Sequence, residues 1–66
     1  MKLKESLKAM RIERSITQEQ LAKKLNISLK TISHWETGYT EPSLTQLIAI
    51  ADLYSVSLDE LIGRNF

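Results

Sequence analysis

Apolar residues recur along this chain at the three- and four-residue spacing of α-helices. Near the N-terminus, Leu3, Leu7 and Met10 share one face of a helix that should end near Arg14. No stretch alternates apolar and polar residues for long enough to predict a strand. The pattern therefore predicts an all-α protein.

Helix start signals divide this pattern into segments. Thr17, Ser43 and Ser57 are each followed three residues later by Gln or Glu, which is the sequence of a capping box. Ser28 opens another segment without such a partner. Together with the first apolar face, these signals predict five helices, near residues 2–14, 17–25, 28–36, 43–54 and 57–62.

Helix stop signals agree with these bounds. Asn26, Gly38 and Gly63 stand where the second, third and fifth helices should end, and both residue types tolerate a left-handed backbone. The connection 25–27 is very short. The second and third helices are therefore expected to meet at a steep angle.

The third helix has two different sides. At about 100° per residue, Leu29, Lys30, Ser33 and His34 share one side, and Ile32 lies on the other. The first side carries one unambiguous charge and an exposed leucine, although single exposed leucines are common. The expected core consists of Leu21, Leu25, Ile32, Trp35, Leu47, Ala51 and Leu53.

Composition narrows the classes of function. The 66 residues contain no cysteine and one histidine, so no disulfide framework or metal-ligand set is expected. The sequence shows neither a paired acid and base nor a Gly-rich phosphate loop, so nothing in it indicates an enzyme. No cofactor or small-molecule ligand is evident. The longest apolar run, 47–51, is far shorter than a membrane span of about 20 residues. A soluble, cytoplasmic, non-enzymatic protein is expected.

Charge is unevenly distributed along the chain. The net charge is +1, but residues 1–35 hold eight Lys or Arg against three Glu (8 − 3 = +5), and residues 36–66 hold one Arg against five acids (1 − 5 = −4). The basic half could face an anion. Two differently charged solvated surfaces would give the same pattern, and charge alone leaves both readings open.

Two runs of sequence resemble a known family. TQEQLAKKLNISLKTISHWETG, followed by EPSLTQLIAIADLYSVSLDELIG, is similar to the Cro/CI-type, phage-repressor-like (XRE) helix-turn-helix proteins. The resemblance extends from about Leu3 to Gly63. It implies that residues 1–66 form one compact five-helix, lambda-repressor-like domain, with the helix-turn-helix motif at about 17–36. It also implies binding to double-stranded DNA.

The resemblance also implies roles for particular residues. The third helix should enter the major groove and read bases through Leu29, Lys30, Ser33 and His34. Phosphate contacts are expected from Gln18, Ser28, Arg11, Tyr39 and Thr40. An ion pair is expected between Arg11 and Glu36. Two of these residues have alternative interpretations that involve no DNA contact. His34 could be a surface residue without a role, and Gln18 could be an ordinary helix former.

Dimerisation would match two half-sites about 34 Å apart. The expected dimerisation end is 57–66, with Leu58, Leu61, Ile62 and Phe66 as the candidate interface residues, although some of these must complete the core. These expectations describe a transcriptional regulator, a repressor that binds a palindromic operator as a homodimer. The alternative is an antitoxin or adaptor that uses the same fold to bind a partner protein. The weak net charge, and Glu41 in a loop where many relatives carry basic residues, favour that alternative slightly.

Overall fold

Over the residues that the structure describes, the chain folds into five α-helices. The computed structural model describes residues 3–63, which form α1 (Leu3–Glu13), α2 (Gln18–Leu25), α3 (Leu29–Thr37), α4 (Leu44–Tyr54) and α5 (Leu58–Leu61), and no strand occurs in that range. Each helix bound within that range lies no more than one residue from its predicted position. The all-α, five-helix prediction is confirmed.

Hydroxyl caps set the starts of four helices. At α2, the Gln20 N–H donates to Thr17 Oγ1 (3.0 Å) and the Thr17 N–H donates to Gln20 Oε1 (2.8 Å), so the capping box is complete. The same reciprocal bonds join Ser43 to Gln46 at α4 and Ser57 to Glu60 at α5. Ser28 accepts the Thr31 N–H at α3 without a returning bond. Hydrogen bonds between residues three positions apart therefore account for where these helices begin.

Three helices end in the same way, with one residue in the left-handed conformation followed by an apolar residue. The left-handed residues are Ser15, Asn26 and Ser55. The apolar residues that follow are Ile16, Ile27 and Val56, which pack against the core. Each of these apolar residues donates its N–H to the carbonyl five residues earlier, at 3.0–3.2 Å. Burial of the apolar side chain thus accompanies the left-handed turn, as in a Schellman motif.

The core lies between all five helices and is centred on Ile32, Ile50 and Leu61, whose side chains are fully buried. Most of the predicted core residues are buried or packed against this cluster. Leu53 is the exception, with 38% of its surface exposed. Placing Leu53 in the core was wrong, because α4 turns Ile50, Ala51 and Tyr54 inward and Leu53 falls outside that stripe.

Two absences can be stated for the part of the chain that the structure describes. Between residues 3 and 63, no helix has both the length and the apolar character needed to cross a membrane. Over the same range, no three His, Cys, Asp or Glu side chains are arranged to hold a metal ion.

Candidate nucleic-acid interface

Helix α3 buries one side and leaves the other outside the core. Ile32, Trp35 and Glu36 are buried on its inner side. The outer side carries the four residues predicted to read bases: Leu29 and Lys30 are exposed, and Ser33 and His34 are half-buried. None of the four belongs to the core cluster. Their side chains therefore share one accessible stripe, which we call the outer stripe of α3.

The start of α3 combines a cap with an exposed hydroxyl. Ser28 Oγ accepts the Thr31 N–H at 3.1 Å and lies 2.8 Å from Thr31 Oγ1. Ser28 itself is exposed. A helix N-terminus carries a partial positive charge that favours anions. Capping is thus the role that the structure displays for Ser28, and its contact with a phosphate stays a prediction.

A buried carboxylate joins α1, α2 and α3. Glu36 accepts two bonds from Arg11, from Nε to Oε2 at 2.7 Å and from Nη2 to Oε1 at 3.0 Å. Gln18 Nε2 donates to Glu36 Oε1 at 3.0 Å. Arg11 Nη1 also donates to the carbonyl of Ile16 at 2.8 Å. These hydrogen bonds with Glu36 raise the pKa of Arg11 above its ordinary value. The network clamps α3 against the other two helices.

This network changes the expectations for Arg11 and Gln18. Arg11 has a side chain only 11% exposed and three N–H groups already committed, so it is poorly placed for the predicted phosphate contact. Its position is structural. Gln18 is half-buried at the first turn of α2 and has one amide N–H beyond the bond to Glu36. A phosphate contact through that N–H stays a prediction.

The end of α3 is a tightly bonded turn. Gly38 adopts φ 82°, and the carbonyl of His34 accepts the N–H groups of Gly38, Tyr39 (2.9 Å) and Thr40 (3.3 Å). The ring of Tyr39 lies against that of His34, with centroids 4.6 Å apart and planes inclined by 53°. Tyr39 and Thr40 are exposed. Sequence reasoning did not find this ring contact, because it depends on the path of the backbone beyond the helix end.

The predicted dimerisation end is only partly available. Leu58 is 36% exposed and Ile62 is half-buried, but Leu61 is fully buried. Assigning Leu61 to a dimer interface was therefore wrong. Its side chain fills the core, and its carbonyl accepts the Ser6 hydroxyl of α1 at 2.6 Å. Phe66 lies outside the described residues.

The fold belongs to the helix-turn-helix class, as shown by the five helices, the short connection between α2 and α3 and the outer stripe of α3. Residues 7–61 match the family model described as helix-turn-helix, and the chain belongs to this family. The family resemblance drawn from the sequence is thereby confirmed.

Several relatives carry names that bear on function. The chain is 41% identical over 64 residues to "Cryptic phage CTXphi transcriptional repressor RstR" of Vibrio cholerae, covering 97% of this chain and 57% of that protein. It is 40% identical over 63 residues to "HTH-type transcriptional activator BcrR" of Enterococcus faecalis, covering 96% of this chain and 31% of that protein. The chain thus spans little more than half the length of one relative and about a third of the other.

A solved structure supports the same fold. The crystal structure of a transcriptional regulator from Listeria innocua superposes on this chain with a TM-score of 0.88 at 30% sequence identity. The superposition covers 97% of this chain and 60% of the Listeria chain. The two folds therefore agree over nearly all of the present sequence.

Proposed function

We propose that this chain is a sequence-specific DNA-binding transcriptional regulator that inserts α3 into the major groove. The observation that carries the proposal is the division of α3. Its inner side is locked by the core and by the Glu36 network, and its outer stripe is accessible. The relatives named as a repressor and an activator support regulation of transcription. We propose repression, through a palindromic operator, for this chain.

The dimensions of α3 suit this task. A helix is about 10–12 Å across, and the major groove is about 12 Å wide. With the start of α3 towards the bases, Leu29 would meet a thymine methyl group and Lys30 would donate to guanine O6 and N7. Ser33 and His34 would reach neighbouring positions from the next turn. The phosphates on either side would be met by Ser28, Gln18, Tyr39 and Thr40.

Replacing Lys30 by alanine tests base reading. Lys30→Ala is expected to reduce discrimination at one base pair by about 1–3 kcal/mol, since it removes the donor to guanine. The measurement is titration against a duplex selected from a random pool and against its single-base-pair variants. Lys8→Ala is the matched control, because it removes the same charge from an exposed site on α1. An equal loss for Lys30→Ala on every duplex would mean that Lys30 contacts only phosphate.

The second candidate function is a module that binds a partner protein. The exposed Glu41 beside the proposed DNA surface and the net charge of only +1 favour it. The two functions separate in a titration of the unmodified chain against random duplex at low and moderate salt. Contacts with phosphates release counterions and impose a steep dependence on salt. Binding that is absent at both salt concentrations would support the partner-binding module and oppose the regulator.

We propose that the regulator acts as a dimer through the α5 end, where Leu58 and Ile62 remain partly accessible. Leu58→Glu is expected to shift the chain towards monomer at high micromolar concentration, as measured by sedimentation equilibrium, because it places a charge in the contact. Glutamate suits the first turn of a helix, so folding should be retained.

Leu44→Glu is the matched control for this dimer test. Leu44 is also an exposed leucine at the first position of its helix, α4. The Leu44→Glu variant should leave the association of the chain into dimers unchanged. A wild-type chain that sediments as a monomer at high micromolar concentration would contradict the dimer, and equal effects of the two variants would place the contact elsewhere.

A further inference from the structure

We propose that Tyr39 is a positioning residue for His34. Its ring would hold the imidazole of His34 in one orientation on the outer stripe of α3, so that the turn after α3 contributes to sequence discrimination without itself reading a base. This inference rests on the proposed function, because it concerns how a base-reading side chain is held. It assigns the aromatic ring of Tyr39, in addition to its hydroxyl, a part in recognition.

The contact between the two rings has favourable geometry. The centroids are 4.6 Å apart and the planes are inclined by 53°. Aromatic pairs prefer offset or tilted arrangements with centroids about 4.5–7 Å apart. Tyr39 is 77% exposed, and its ring contact with His34 is the aromatic pairing found within residues 3–63. A large ring at the surface is thus placed against a predicted base-reading side chain.

The backbone fixes Tyr39 relative to α3. Its N–H donates to the carbonyl of His34 at 2.9 Å, and the Thr37 hydroxyl donates to the same carbonyl at 3.3 Å. Gly38 provides the left-handed residue that the turn requires. The side chain of Lys4 closes over Gly38, since a Cβ built there would lie 2.8 Å from Lys4 Cδ. The backbone of His34 therefore holds Tyr39, and the ring of Tyr39 holds the ring of His34.

Such positioning affects binding through conformational entropy. A histidine without this contact could rotate about both side-chain bonds, and ordering it on a base edge would oppose binding. The ring of Tyr39 restricts that rotation before DNA arrives. Ordering one side chain in advance is worth about two- to tenfold in affinity. This increase in affinity applies only to the base pair that His34 contacts.

A contact between the Tyr39 hydroxyl and phosphate makes a different prediction. That contact depends on the oxygen atom, whereas positioning depends on the ring. Phenylalanine keeps the ring and removes the hydroxyl, and alanine removes both. The pair Tyr39→Phe and Tyr39→Ala therefore separates the two roles at a single site, with the rest of the turn unchanged.

The experiment measures the affinity of the full chain for a duplex selected from a random pool and for its single-base-pair variants. His34→Ala should reduce discrimination at one base pair. Tyr39→Ala should reduce discrimination at the same base pair by about two- to tenfold, and Tyr39→Phe should preserve it. The double variant His34→Ala/Tyr39→Ala should discriminate no less than His34→Ala alone.

Three results would overturn the proposal. The first is that Tyr39→Phe loses as much discrimination as Tyr39→Ala. The second is that Tyr39→Ala weakens binding to all duplexes equally. The third is that the effects of His34→Ala and Tyr39→Ala on discrimination add. Thermal unfolding of each variant checks that the fold is retained. An additive result would show that Tyr39 and His34 act independently.

A measurement without DNA keeps this inference distinguishable from the proposed function. The ring of Tyr39 should shift the NMR resonances of the His34 imidazole in the free chain, and Tyr39→Phe should retain that shift while Tyr39→Ala abolishes it. If no duplex is bound but the shift is present, the proposed function fails and the ordering of His34 stands. If duplexes are bound and the shift is absent, the positioning role is refuted and the regulator stands.

Discussion

Replacing Arg11 by methionine is expected to destabilise the fold by about 3–5 kcal/mol. The substitution leaves the Glu36 carboxylate, whose side chain is 4% exposed, with Gln18 as its remaining partner. A buried charge that loses its counter-ion keeps its full desolvation penalty. The measurement is equilibrium unfolding in urea at neutral pH. For a domain this small, whose total stability is at the lower end of about 5–15 kcal/mol, much of the population should unfold.

Two controls show whether the unpaired charge is the cause. The double variant Arg11→Met/Glu36→Met should recover most of the lost stability, because it removes both charges together. Lys23→Met breaks the pair with Glu19, whose closest atoms are 3.6 Å apart on the surface of α2. That variant should change stability by about 0.5 kcal/mol or less. If the double variant is as unstable as Arg11→Met, the buried charge is not the cause.

Leu61→Ala is expected to cost about 2–5 kcal/mol of folding stability, since it opens a cavity in the core. The side chain is fully buried between α5 and its neighbours, and α5 is only four residues long. The sequence predicts Leu61 at a dimer interface, so this variant is a direct test of its position. Equilibrium unfolding in urea at two protein concentrations tenfold apart is the measurement.

Protein concentration distinguishes the two positions of Leu61. A core residue should give the same loss of stability at both concentrations, whereas an interface residue should give a loss that depends on concentration. Leu58→Ala, at the exposed start of the same helix, is the comparison and should affect monomer stability far less. A small and concentration-dependent effect of Leu61→Ala would refute its placement in the core.

Local chemistry explains why the helices could be predicted so closely. The capping boxes at Thr17, Ser43 and Ser57 involve residues three positions apart, so they can be identified without knowing the tertiary fold. The left-handed residues Asn26 and Gly38 are of types that adopt this conformation readily. Ser15 and Ser55 were not predicted, because serine has no such preference and the turn depends on burial of the apolar residue that follows.

The faces of helices were harder to assign than their ends. In α3, nine residues provide enough turns for the apolar side to be recognised, and Ile32 and Trp35 lie in the core as predicted. In α4 the apolar residues surround much of the helix, so the sequence predicts Leu53 in the core, whereas the structure exposes it. The four residues of α5 are too few to define a periodic face, and Leu61 was therefore misplaced.

The sequence by itself determined the number, bounds and order of the helices, the family and the residues of the outer stripe, since these depend on contacts within a few positions and on recognisable motifs. The tertiary structure alone decided which leucines are buried, how fully Arg11 is committed to Glu36, and that the ring of Tyr39 lies against His34. The physical reason is that these contacts join residues on different helices or across a turn. Their geometry depends on how the helices pack, which no short stretch of sequence encodes.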